Sequence, residues 1–94
     1  MEWIEIIELR SGGSNRDLLE SQLRSIITEL EDDPGKPEIK IYCCTLVGTD
    51  YNIIISHDSM KVEAGGSRLG LHLTEALKVF GLVNHSIWNE INKK

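Results

Sequence analysis

The sequence predicts an α+β fold: two β-α-β units, joined by a hairpin, that close into one four-stranded antiparallel sheet with both helices on one face. Three observations predict it. Two apolar stripes of helical spacing, Leu19-Leu23-Ile26-Ile27-Leu30 and Leu69-Leu73-Ala76-Leu77-Phe80, repeat at a constant offset of 50 residues. Each stripe follows a strand-like run, a connector and the tripeptide Gly-Gly-Ser, at 12–14 and 65–67. Between the two units, two β-branched runs are separated only by Gly48-Thr49-Asp50, short enough for a hairpin. Right-handed crossovers then give strand order 4-1-3-2 and put the helices on the same side, the ferredoxin-like arrangement, in a single domain over residues 1–94.

Trp3 to Leu9 reads as the first strand, β-branched and aromatic, with apolar residues on both parities. A helix is expected from about Asn15 to Asp33. Ser14 with Asp17 three residues on fits a capping box, and Pro34-Gly35-Lys36-Pro37 ends the helix because proline cannot continue it. Ile39 to Val47 and Tyr51 to Ser56 or His57 are the second and third strands. Asp58 to Gly66 is a polar connector long enough to form a flap. The second helix is expected from Arg68 to Phe80, with Gly81 as a left-handed cap and Leu82 folding back on the last turn. Val83 to Ile91 is the fourth strand, and Asn92-Lys93-Lys94 a tail.

Composition narrows the partners. Ten basic residues against 15 acidic give a net charge of −5, without a basic stripe, which argues against nucleic acid. No apolar run is long enough for a membrane span, and Met1 to Glu5 lacks the features of a secretory signal, so a cytoplasmic location is expected. With helices on one sheet face only, the apolar residues of the other parity are left bare: Ile4 and Ile6 against Trp3 and Ile7, Ile54 against Ile53 and Ile55. A homodimer packing two open faces together is the expected remedy. Cys43 and Cys44 are adjacent, so on a strand they point to opposite faces, and reduced thiols packed in the sheet are expected.

The run G-G-S-R-L-G at 65–70 looks like a phosphate loop opening a helix. It is one position out of register for a dinucleotide fingerprint and lacks the G-K-[ST] of a P-loop. Glycine for the turn and serine for the cap explain it structurally, although a helix start beside Arg68 also attracts anions. Of the three histidines, His57 ends the third strand and His85 begins the fourth. A topology that puts them at opposite ends of the sheet argues against a tri-histidine metal site, and no metal is expected. His72 lies one turn into the second helix, at the border of its stripe, and His57 shares parity with Ile53 and Ile55. The two are either a converging proton-transfer pair or two half-solvated boundary residues.

The succession W-I-E-I-I-E-L-R, S-N-R-D-L-L-E-S-Q-L, Y-N-I-I-I-S-H-D-S and G-S-R-L-G-L-H-L-T-E-A-L-K-V-F-G-L-V-N-H-S-I-W resembles small proteins of the dimeric α+β-barrel superfamily, grouped with antibiotic-biosynthesis monooxygenase-like domains, and within it a branch without an assigned activity. The resemblance implies a dimer whose two sheets form a barrel and a ligand cleft between sheet and helices. The family includes cofactor-free oxygenases acting on phenols, haem-degrading enzymes, isomerases and non-catalytic members, so fold alone transfers no reaction. Haem-degrading relatives use a histidine on the second helix as iron ligand, and His72 is similarly placed. They also use a first-strand asparagine, which is absent here, and a tryptophan near the cleft, whereas Trp3 and Trp88 lie on strands.

Two functions are therefore expected to compete, and a third, a metal-binding module, would need an ion at His57 and His72 with a carboxylate such as Asp58. One is a cofactor-independent, monooxygenase-like enzyme that binds a small, flat apolar molecule against Arg68, Leu69 and Leu73, with His72 and His57 as catalytic groups and residues 58–66 as lid. The other is a non-enzymatic dimer that binds a metabolite or a protein. A crevice filled by Leu69, Leu73 and strand side chains favours the second. An open pocket with both histidines pointing in favours the first.

Overall fold

Alternation along the first strand decides which side of the sheet becomes the core. β1 spans Glu2–Ser11, and Trp3, Glu5, Ile7 and Leu9 on one parity are all buried. The computed structural model describes residues 2–13, 15–31, 37–58 and 62–91. Within these, α1 is Arg16–Glu31, β2 Glu38–Cys43, β3 Asp50–Asp58, α2 Arg68–Leu77 and β4 Gly81–Asn89, with a 3-10 turn at Lys78–Phe80 between α2 and β4. The strands pair antiparallel in the order β2-β3-β1-β4, the expected order read from the other edge.

Register fixes the faces. Trp3, Glu5, Ile7 and Leu9 stand opposite His57, Ile55, Ile53 and Tyr51 on β3, and opposite Asn89, Ile87, His85 and Val83 on β4. Leu19 and Leu23 of α1 and Leu73 and Leu77 of α2 pack on this face with Ile7, Leu9, Ile53 and Ile55 in one core, so both helices cover the same side. Burying each such leucine contributes roughly 1.5–3 kcal/mol. Both helical stripes hold where they are described: Ile26, Leu69 and Phe80 pack on the edge of the core. The side chain of Leu30, the Ser14 half of the capping box, the helix stop at 34–36, residues 59–61 of the expected lid and the tail at 92–94 lie outside the described residues.

The other face carries Ile4, Ile6 and Ile54, half-buried, beside an exposed Trp88 that stands opposite Ile4. Polar groups border this stripe, among them Glu8, which accepts a hydrogen bond from Asn84 at 3.3 Å, and Arg10, whose guanidinium lies 3.9 Å from Asp50. The open face is therefore an apolar stripe in a polar frame.

Several local expectations need correction. β2 stops at Cys43, short of Val47. Asp50 N–H closes a turn on the Val47 carbonyl at 3.0 Å, so the hairpin loop takes the residues after Cys44. Cys43 and Cys44 are free but exposed, since they sit where β2 runs out into that loop rather than in the packed sheet. α2 tightens into a 3-10 turn after Leu77, a common way to end a helix. Gly81, with φ 158° and ψ −154°, opens β4 and is not a left-handed cap. Its backbone lies so close to the Arg10 carbonyl that a Cβ would overlap it. Leu82 is 76% exposed and does not fold back on α2.

Candidate functional site

Glu5 is a charged residue in the middle of an apolar parity, and the fold builds a socket for it. Its neighbours across the ladders, Ile55 and Ile87, are aliphatic, so its partners come from the diagonals. His57 lies opposite Trp3 on one side and His85 opposite Ile7 on the other. His57 Nε2 is 2.5 Å from Glu5 Oε2, and His85 Nε2 is 2.8 Å from Oε1. The expectation that these histidines lie at opposite ends of the sheet is corrected by register: their partners on β1 are only four residues apart, with Glu5 midway between them. Trp3 stacks on the His57 ring, with centroids 4.0 Å apart and planes 15° apart, and fixes its orientation.

The third partner is the loop that resembles a phosphate site. Ser67 donates its N–H to Glu5 Oε1 at 3.1 Å and its hydroxyl to Oε2 at 2.5 Å, while the same hydroxyl oxygen accepts the Gly70 N–H at 3.0 Å. Ser67 is thus the expected N-cap of α2 and a ligand of the carboxylate at once. Gly66 takes φ 98°, and a side chain there would run into the His85 ring. A side chain at Gly70 would run into Glu5 itself. The anion held at this helix start is the protein's own Glu5.

The electrostatics follow from these contacts. Burial alone raises the Glu5 carboxyl. Hydrogen bonds from the Ser67 hydroxyl, His57, His85 and the Ser67 amide outweigh it and hold the group below its ordinary value of 4.5. An ionised carboxylate only accepts, so each imidazole donates from Nε2 and, when neutral, carries its lone pair on Nδ1. Among the described residues, no buried side-chain polar atom lacks a partner. Nor, among them, does any group of three or more His, Cys, Asp or Glu side chains have an arrangement that could hold a metal. Ser67 and Gly70 already press on the Glu5 oxygens.

The residues singled out in the sequence are distributed differently from the expected cleft. His57 turns to Glu5, and His72 is exposed on α2, so the structure does not join them in one crevice. α2 buries Gly70, Leu73 and Leu77 instead, because the close approach of Gly70 to Glu5 sets which face of the helix looks down. Arg68 is exposed, Leu69 is half-buried against the core, and Leu73 is 1% exposed within it. Leu73 and Leu77 thus lie in the core beneath α2 rather than lining an open cleft.

An open groove lies under α1 instead. It holds about 370 Å³, with Leu23 and Ile27 of α1, Ile41 of β2 and the Tyr51 ring of β3 as its apolar lining, and Glu20, Arg24 and Cys43 as the polar groups. Glu20 Oε2 accepts the Tyr51 hydroxyl at 3.0 Å and the Arg16 Nε–H at 3.0 Å. These two hydrogen bonds, from Arg16 first, hold the Glu20 carboxyl below its ordinary value. Burial, then the hydrogen bond to Glu20, pushes the Tyr51 phenol above its ordinary 10.0. Tyr51 is six residues from His57 on β3, roughly 20 Å at the usual rise, so groove and clamp are separate places. Two further hollows, about 290 and 260 Å³, lie at opposite ends of the sheet.

No protein-family model matches the chain, and no curated protein matches it. Among solved structures, that of Rv0793 from Mycobacterium tuberculosis is similar, with a TM-score of 0.70 over 99% of this chain and 98% of that one, at 14% sequence identity. At that identity the likeness shows the fold alone, and it supports the ferredoxin-like α+β architecture. Among the described residues, no helix is long and apolar enough to cross a membrane.

Proposed function

We propose that the protein is a non-enzymatic, homodimeric binding module for a small molecule with an apolar body, seated in the groove between α1 and β2. The observation that carries this reading is the contrast between the two helices. Leu73 and Leu77 of α2 are fully buried in the core, whereas beside α1 a groove of about 370 Å³ lies open, apolar in its lining and polar at a few points. The Glu5 clamp is then a structural device that ties β1, β3, β4 and α2 together. The second copy packs on the stripe of Ile4, Ile6, Ile54 and Trp88, so that the open faces cover each other. The homodimer and the ligand cleft are also what the resemblance to the dimeric α+β-barrel superfamily implies.

The test is a ligand-observed binding screen of small aromatic molecules against the wild type and Ile27→Trp. Ile27 is half-buried, so the larger ring fills the groove without entering the core. Hits that bind the wild type and are lost in the variant support the reading. Hits that bind both proteins equally refute it.

A second reading, an acid–base enzyme of the monooxygenase-like group, is favoured by one specific arrangement: two imidazoles anchored by a buried carboxylate, with side chains only 14% and 12% exposed. Turnover of phenolic substrates that disappears in both His57→Ala and His85→Ala, with the fold intact, would establish it in place of the first.

A further inference from the structure

Resting on the reading of the α1–β2 groove as a binding site, we infer that its ligand is a small aryl carboxylate, with the ring on Leu23, Ile27, Ile41 and Tyr51 and the carboxylate on Arg24. The charges at the lip decide this. Three charged groups meet there: Arg16, Glu20 and Arg24. Glu20 Oε2 is taken by Arg16 and by the Tyr51 hydroxyl, both at 3.0 Å. Arg24 comes no closer than 3.7 Å to Glu20 Oε1, too long for a hydrogen bond, and its side chain is 78% exposed. Glu20 therefore offsets only one of the two guanidiniums: its Oε2 is taken by Arg16, Arg24 pairs with Oε1 only at 3.7 Å without a hydrogen bond, and one net positive charge is left over an apolar lining among the described residues.

Among the described residues, the other groups lining the groove add no competing charge. The Tyr51 hydroxyl donates its hydrogen bond to Glu20, and the phenol, held above its ordinary 10.0, carries no charge at neutral pH. The Cys43 thiol is directed to the Gly48 carbonyl at 3.4 Å. A planar guanidinium with free N–H groups matches a carboxylate in two parallel hydrogen bonds, which a neutral hydroxyl or amide cannot reproduce. The volume lies near the low end for small-molecule sites, suited to one or two rings.

The experiment compares 2-naphthoate with the near-isosteric neutral 2-naphthamide by calorimetry or fluorescence, on the wild type, Arg24→Gln and Ile27→Trp. The inference predicts that naphthoate binds the wild type roughly fivefold tighter, the scale of one exposed ionic contact. The preference should fall away in Arg24→Gln and shrink with added salt, and both probes should be lost in Ile27→Trp. Equal affinity for the two probes, or a preference that survives Arg24→Gln, overturns the carboxylate assignment while leaving the groove as a binding site. Binding of neither probe, or binding untouched by Ile27→Trp, overturns the groove reading and the inference with it.

Discussion

Gly70 of α2 lies so close to Glu5 of β1 that a Cβ on the glycine would overlap the carboxylate. The contact explains why α2 carries a glycine in its first turn, at an ordinary cost of roughly 1 kcal/mol relative to alanine. Here alanine is the damaging residue. Gly70→Ala should lower stability by about 1–3 kcal/mol, as overpacking does. Gly65→Ala, where nothing lies within 4 Å of the added methyl, should stay within about 0.5 kcal/mol of wild type. Urea denaturation of both variants checks this, and equal midpoints would refute the close approach.

The acid limb of stability should belong largely to Glu5. Its carboxyl is held below 4.5 in the folded chain, so the unfolded chain binds the proton first. The stabilisation is therefore complete above about pH 4.5 and is lost as pH falls through the lower folded value. Glu5→Gln should flatten this limb and cost about 2–3 kcal/mol at neutral pH, the worth of a hydrogen-bonded buried charge. The check is denaturant unfolding between pH 3 and 7 for both proteins. An unchanged acid limb in the variant would assign the titration elsewhere.

Tyr51 should titrate late. Burial and its hydrogen bond to Glu20 raise the phenol above 10.0. Ultraviolet titration of the phenolate in Tyr42→Phe, which leaves Tyr51 as the sole tyrosine, reads it directly. Adding Glu20→Gln removes the negative charge and should bring the transition down, whereas no movement would mean that Glu20 does not hold the hydroxyl.

The proposed dimer predicts a mass of about twice 10.6 kDa by sedimentation. Trp88 is 55% exposed in the single chain, so Trp88→Glu should leave the fold intact and weaken association by on the order of thirtyfold, as loss of an aromatic hot spot does. A wild type that stays monomeric at high concentration would remove the second copy from the account.

The architecture was legible because it rests on period. The two helical stripes and the alternation of Trp3, Ile7, Ile53 and Ile55 against Ile4, Ile6 and Ile54 need no knowledge of contacts. Glu5 was harder to read, although its signal was present: it shares parity with Trp3, Ile7 and Leu9, so the strand that buries them buries it too. A glutamate in such a run passes as solvated unless its partners are known, and the partners depend on register. His85 opposite Ile7 and His57 opposite Trp3 bracket Glu5 only in the observed pairing. His72 borders the stripe of α2, which on spacing alone turns it toward the sheet. The helix is rotated to press Gly70 on Glu5, a tertiary constraint that the stripe alone does not express. The α1 groove was illegible for a related reason, since it depends on how far a helix sits from an edge strand.

The most direct test of where this protein binds its ligand is a heteronuclear NMR titration of the wild type with 2-naphthoate, read residue by residue. The account predicts saturable shifts at Leu23, Ile27, Ile41 and Tyr51, with His57, roughly 20 Å from Tyr51 along β3, and His85, two strands away on β4, both unmoved. Shifts centred on His57, His85 and Ser67, with the α1 residues silent, would contradict it and turn the clamp into the binding site.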